Sequence, residues 1–388
     1  MTSALAESSA TCLLSPAAIR ERSRNIAEAV TAGDSRHFRI DRARLDATAD
    51  YVAQVTRKRY PDLVVPYHSR WRHFEAGGVD RRALLPRDPH ADVDLTVVSV
   101  LLDAGAGPAW SYFEEATGKR FTRSEGLGVA IFRAFADGAF SAGADPFRVD
   151  AERLADIDED TLGALFQVRD DNPLVGLPGR AALLRRLGEA LNGRRPGALY
   201  DTLTAQTRTV GAPAILRALL EMLGPIWLTG SNIDGVKLGD TWRHPRAGGD
   251  GVTEGWVPFH KLSQWLAYSL FEPFEWAGIE VCDRDALTAL PEYRNGGLLL
   301  DSGVITWLAP GETKLAWDVG SELVVEWRAS TVSLVDELAP RVRASLGVAD
   351  LPLACILEGG TWAAGRELAR EKRNGLPPFA VRSDGTVF

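Results

Sequence analysis

The stretch SEGLGVAIFRAFADGAF, residues 124–140, spaces its large apolar residues as a helix does. Leu127, Ile131, Phe132 and Phe135 fall on one stripe, the pattern of a central buried helix. The same period extends outward on both sides. In SPAAIRERSRNIAEAVTAG, Ser15 can serve as N-cap and Pro16 as first helical residue, with Ile19, Ile26 and Val30 on one face. DRARLDATADYVAQVTRKRYP reads as a second helix stopped by Pro61. LPGRAALLRRLGEALNG and APAILRALLEMLG read as helices with Gly193 and Gly224 as C′ caps. FHKLSQWLAYSLFEP reads as a helix ended by Pro273, and STVSLVDELAPRVRASLG and TWAAGRELAREKR close the series.

Strand signals are few. FAVRSDGTVF alternates about Asp384-Gly385, as a hairpin would, while GLLLDSGVITWLA fits either a hairpin or a buried helix. The expectation is a mainly α fold with a few short β-hairpins. It consists of a flexible segment over 1–14, one helical domain over 15–388, and an insertion loop near 228–256.

The chain has 388 residues, 45% hydrophobic and 25% charged, as a globular protein does. A net charge of −8 argues against nucleic acid and anionic membrane as partners. Cys12, Cys282 and Cys355 are scattered, which suits a reducing compartment and gives no thiolate cage for a metal. No basic leader region and no apolar run near the roughly 20 residues of a membrane span is visible. These features together point to a cytoplasmic protein. They leave its oligomeric state open.

Four stretches carry candidate chemistry. VVPYHSRWRHFEAGG crowds Tyr67, His68, Arg70, Trp71, Arg72 and His73 together, which suits either a phosphate and ring site or plain surface packing. Two histidines without further ligands make zinc the poorer reading. LTGSNIDGVKLGDTW offers Asn232, Asp234 and Lys237 among glycines; it matches no nucleotide or calcium motif, and a turn-rich connection accounts for it equally well. FHKLSQWLAYSLFEPFEW places Leu262, Leu266 and Leu270 on one seam, and Lys261, Trp265, Tyr268 and Glu272 on another. The second seam is a pocket wall or a Lys261–Trp265 cation–π contact. Finally, LPEYRNGGLLLDSG sets Glu292 and Arg294 against an apolar run, either as a structural ion pair or as part of a catalytic group.

VPYHSRWRHF, VPFHKLSQWLAYSLFEPFEWAGI and LPEYRNGGLLLDSGV resemble blocks of the uracil-catabolism proteins of the ribosylurea pathway, a family described by a domain of unknown function. The resemblance runs from about residue 15 to the end. More distantly, the order of blocks is similar to the queuosine-nucleotide N-glycosylases, which are akin to helix-hairpin-helix DNA glycosylases. The parallel runs through HADVDLTVVSVLLDAG, the 124–147 segment, residues 159–191, HKLSQ and PEYRNGG. Those enzymes carry a lysine and a glutamine at the positions of Lys261 and Gln264, and an aspartate where this chain has Glu292. The loop over 229–251 has no counterpart there.

The resemblance implies hydrolysis of a ribosyl C–N bond, releasing urea from ribosylurea or its 5-phosphate, with no cofactor and no metal. Glu292, Lys261 and Arg294 are then the catalytic candidates: a carboxylate beneath an oxocarbenium-like centre, a pocket amine, and a guanidinium keeping Glu292 ionised. Tyr67, His68, Arg70, Trp71, Arg72, His73, Asn232, Asp234, Lys237, Gln264, Trp265, Tyr268 and Asp301 are the substrate-binding candidates. A Schiff base at Lys261 ranks below water attack. A non-catalytic protein that hands an intermediate to a partner enzyme is the alternative, and the acidic balance disfavours action on DNA.

Overall fold

The computed structural model describes residues 9–229, 231–309 and 316–382, and the fold is mainly helical with small two-stranded sheets. It forms two compact units. The first comprises the described residues within Met1–His68, Ser231–Gln264 and Asp283–Arg382; the second those within Ser69–Gly230 and Trp265–Cys282. Among the described residues no helix is long and apolar enough to cross a membrane.

The first unit is built on the Glu322–Leu346 helix, in which every residue from Leu323 to Val335 is buried. A helix buried on all sides must be covered on all sides, and its polar groups answered from within. The Pro16–Thr31 and Leu45–Arg59 helices pack on it. Ser15 caps the former as expected, accepting from the Ala18 N–H at 3.2 Å. The ambiguous 297–309 stretch divides into the end of a helix, Tyr293–Asp301, and a strand, Ile305–Trp307, paired antiparallel with Phe38–Ile40. Gly296 is where the Trp327 ring approaches: an added Cβ would lie 2.5 Å from it, and Trp327 Nε1 donates to the Gly296 carbonyl. Ala380–Arg382 pairs parallel with Ala316–Asp318; the turn expected at Asp384-Gly385 lies outside the described residues. Within the 1–14 segment, Ser9–Leu13 forms a 3-10 helix with Leu13 fully buried, while residues 1–8 are outside the described range.

In the second unit, Pro89–Leu101 is buried throughout from Ala91 onward, and Arg123–Ala136 buries Leu127, Ile131, Phe132 and Phe135 as their spacing predicts. The Leu177–Leu191 helix ends on two left-handed residues, Asn192 (φ 48°) and Gly193 (φ 78°). Gly224 differs from expectation: it stays right-handed (φ −48°) and opens a 3-10 turn over Gly224–Ile226.

Pro273 also differs. It lies inside the Lys261–Trp276 helix instead of ending it. A proline has no N–H, so the carbonyl four residues back loses its helical donor. That carbonyl is Ser269, and Trp71 Nε1 donates to it at 3.0 Å. The Ser269 hydroxyl accepts from the Arg70 backbone N–H at 2.9 Å. The proline is tolerated because a tryptophan indole replaces the missing donor.

Trp71→Phe should therefore destabilise the wild type more than it destabilises a Pro273→Ala background, where residue 273 supplies its own N–H. The expected coupling in urea unfolding is about 1 kcal/mol. Equal losses in both backgrounds would show that the indole is not the substitute donor.

Candidate functional site

Glu292 is the N-cap of the Tyr293–Asp301 helix, with extended backbone (φ −119°, ψ 167°). Its carboxylate accepts from the Arg294 N–H at 2.7 Å and the Asn295 N–H at 2.6 Å. Free N–H groups and the helix dipole favour an anion there. Asn295 Nδ2 closes the turn by donating to the Leu290 carbonyl at 3.0 Å. Burial drives the Glu292 carboxyl above its ordinary value, opposed by those two N–H groups and by the charges of Lys261 and His68.

The expected Glu292–Arg294 ion pair is not formed. Side chains two apart on a helix do not face each other. The Arg294 guanidinium donates to the Gly375 carbonyl at 3.2 Å and lies 4.6 Å from the Tyr293 ring centroid. Only its backbone serves Glu292. The cations acting on the carboxylate come from residues distant in sequence, and the net shift is upward from burial instead of downward from a neighbouring arginine.

Arg328 and Asp240 hold this arrangement. Arg328 Nη1 and Nη2 donate to the two Asp240 oxygens at 2.8 and 2.7 Å, with both side chains buried. Asp240 also accepts from Trp242 Nε1 at 2.7 Å and from the Lys261 backbone N–H at 3.0 Å, capping the helix that carries Lys261. Burial alone would raise the Asp240 carboxyl; the Arg328 charge and hydrogen bonds outweigh it and hold the group below its ordinary value. Arg328 Nε reaches the Pro291 carbonyl at 3.4 Å, next to Glu292. Gln264 secures the approach: its Oε1 accepts from the Thr288 N–H at 2.9 Å, and its Nε2 donates to Thr288 Oγ1 at 2.7 Å and the Phe259 carbonyl at 3.1 Å. Its amide is thereby engaged by protein.

His68 brings a second carboxylate. Its Nδ1 lies 2.7 Å from Glu358 Oε2, with both side chains buried. Glu358 sits in a π turn, Leu357–Thr361, whose Gly359 and Gly360 approach Val65, Thr56 and Val52. Arg59 Nη1 donates to the Glu358 carbonyl at 2.8 Å. Neither Glu358 nor Arg328 was singled out from sequence. The signal that marks them is charge within an apolar run, LACILEGGTW and LVVEWRASTV, as at Glu292.

The remaining candidates separate between the units. In the first, Tyr67 lies 5.7 Å from the Arg284 guanidinium, and both Asp301 carboxylate oxygens pair with Arg373. Asn232, Asp234 and Lys237 lie on a small hairpin, in which Asn232 Oδ1 accepts from the Gly235 N–H at 3.0 Å. In the second unit, Arg70 is fully buried on Ser99 Oγ (2.7 Å), Asp103 (2.5 Å) and Ser124. Arg72 pairs with Glu272 at 2.5 Å and Glu75 at 3.1 Å. Trp71 is enclosed edge-on by Phe74 and Trp276, so its faces are not open to a ligand. His73 contacts Trp265 edge-on at 5.7 Å, and Tyr268 is buried against Phe271.

Among the described residues, one group of potential metal ligands is His244, Glu322 and Glu326, with ligand atoms within 4.8 Å of one another. His244 Nδ1 accepts from the Arg246 N–H at 3.1 Å, which puts the neutral ring's proton on Nε2, 3.5 Å from Glu326. That tautomer offers the acids an N–H and no lone pair, so it does not fit a metal.

The family model described as "Protein of unknown function (DUF1688)" matches residues 12–388. Protein urg3 of Schizosaccharomyces pombe is 36% identical over 401 residues, covering 97% of this chain and 98% of the relative. Uracil catabolism protein 4 of Lachancea kluyveri is 36% identical over 426 residues, covering 95% and 97% respectively.

Two outcomes test the site's construction. Arg328→Met strands a buried Asp240 and should cost about 3–5 kcal/mol in denaturant unfolding, partly recovered by adding Asp240→Asn. A loss below about 1 kcal/mol would show that the pair is not structural. For Glu292, the folded chain holds a proton that the unfolded chain releases as pH rises past its ordinary value of 4.5. Its contribution to stability is full below that value and lost as pH rises through the raised one. Glu292→Gln should therefore gain on the wild type as pH rises above 4.5, read from unfolding midpoints. A constant offset would show no such linkage.

Proposed function

The chain belongs to the DUF1688 family, and from that premise we propose that it acts in uracil catabolism as an N-ribosyl hydrolase. The reaction releases urea from ribosylurea or its 5-phosphate. The observation that carries this reading is Glu292: a buried carboxylate on a helix N-terminus, within the field of Lys261 and His68, and among the described residues its side chain is in no arginine pair. The likeness of HKLSQ and PEYRNGG to the queuosine-nucleotide N-glycosylases supports the same assignment.

Cleavage of the C1′–N bond develops positive charge on the ribose, and an anion beneath it stabilises that charge most where water is excluded. Glu292 supplies the anion and takes the proton of the attacking water. Its upward-shifted carboxyl is the better base for this, since a base works best with a value near the operating pH. The ammonium of Lys261 keeps a useful fraction ionised and orients the ribose hydroxyls. Arg294 serves through its backbone N–H, not its charge.

Urea and ribose are assayed after mixing protein with ribosylurea and, separately, with its 5-phosphate. Glu292→Gln should keep ligand affinity and lower kcat by about 10²–10⁴-fold. Unchanged turnover removes Glu292 from the chemistry. Tight binding with no release by the wild type would make the chain a binding protein that passes an intermediate on, and borohydride trapping at Lys261 would replace water attack by a Schiff base.

A further inference from the structure

Resting on the hydrolase reading, we propose that His68 is the general acid of the same site and that Glu358 is the residue that positions it. Glu358 Oε2, 2.7 Å from Nδ1, takes the hydrogen bond of that nitrogen. A carboxylate on one ring nitrogen fixes the tautomer, which makes Nε2 the nitrogen that exchanges a proton. The backbone is fixed as well, because the His68 N–H donates to the Ala354 carbonyl at 2.9 Å. The Trp362 ring, 5.9 Å away, packs beside the imidazole.

Glu358 is held by unusual means. It lies in a π turn, a widened helical turn that costs backbone hydrogen-bond geometry and concentrates at functional sites. Gly360 lets that turn press against the Leu45–Arg59 helix and Gly359 against the segment after it, since an added Cβ would meet Val52 or Val65 respectively at about the distance of a clash. Arg59, 3.6 Å from Glu358 Oε1, balances the carboxylate. Glu358, with Arg59 beside it, is the carboxylate in contact with the imidazole; the charges of His68 and Lys261 act on Glu292, and Arg284 lies against the neighbouring Tyr67 ring. An imidazole held by one carboxylate, with its charge acting on a second, can give a proton while the second receives another.

The balance is complete without an added reagent. The C1′–N bond breaks with its electron pair on nitrogen, and the Nε2 proton moves to that nitrogen to give neutral urea. Water adds to C1′ and its proton passes to Glu292. Exchange with solvent returns the proton from Glu292 to His68, so ribosylurea and water become ribose and urea.

The test compares ribosylurea, whose leaving group needs a proton, with 4-nitrophenyl ribofuranoside, whose leaving group does not. His68→Ala should lower kcat on ribosylurea by about 10²–10⁴-fold and leave the nitrophenyl riboside within about threefold of wild type. Added imidazole should restore part of the lost rate. Glu358→Gln should show the same selectivity, in kcat more than KM, and carries the test alone if His68→Ala does not fold. Equal losses on both substrates, in variants with wild-type unfolding midpoints, overturn the role of His68 and leave that of Glu292 standing. A wild type that cleaves ribosylurea only is judged by imidazole rescue, with recovery supporting the proposal and none overturning it. A wild type that cleaves neither overturns both readings.

Discussion

The bidentate contact between Arg328 and Asp240 is the constraint on which the first unit's candidate site depends. One guanidinium engages both oxygens of one carboxylate, reaches the carbonyl before Glu292, and lies 4.2 Å from the Phe259 ring. The same carboxylate caps the helix that begins at Lys261. Three segments far apart in sequence, around 240, 261 and 291, are thus set relative to one another by a single buried pair. Buried pairs contribute little net stability, since desolvation offsets their attraction, but a misregistered arrangement would leave a charge stranded. The value of this pair is specificity of placement.

The placement matters because Glu292 is held against its own electrostatics. Burial opposes its charge; two backbone N–H groups and the remote Lys261 and His68 favour it. A side chain that only capped a helix would do so at the surface with less penalty. Glu358 repeats the pattern, buried, paired with an imidazole and placed by a π turn. Glu292 and Glu358 are thus two buried acids of the first unit that meet basic groups brought from elsewhere in the chain.

The second unit uses its charges differently. Arg81 and Arg133 share the Glu114 carboxylate, which burial would raise but which those hydrogen bonds bring down to about 2. Asp94 is raised to about 6 by burial despite Arg195 and the Val149 and Gly197 N–H groups. Arg70 and Arg72 belong to this class: each already meets a carboxylate within its own unit. A run such as YHSRWRH reads as a phosphate cradle when only composition is visible, because a sequence does not show which acid answers which arginine.

The sequence by itself determined the mainly helical fold, since the 3.6-residue period of apolar side chains is local: 123–136, 16–31 and 177–191 are helices where that period lies, and Ser15 caps as its type requires. It also marked Glu292, as a charge with no evident reason to sit in an apolar run. The tertiary structure alone decided what surrounds that charge. Arg294, nearest along the chain, points away, while Lys261 and His68 arrive from 31 and 224 positions before it. It likewise decided that Pro273 stays within its helix, because the indole that replaces the missing donor belongs to Trp71. Helical period depends on neighbours in sequence; charge pairing and hydrogen-bond rescue depend on neighbours in space, which folding brings together.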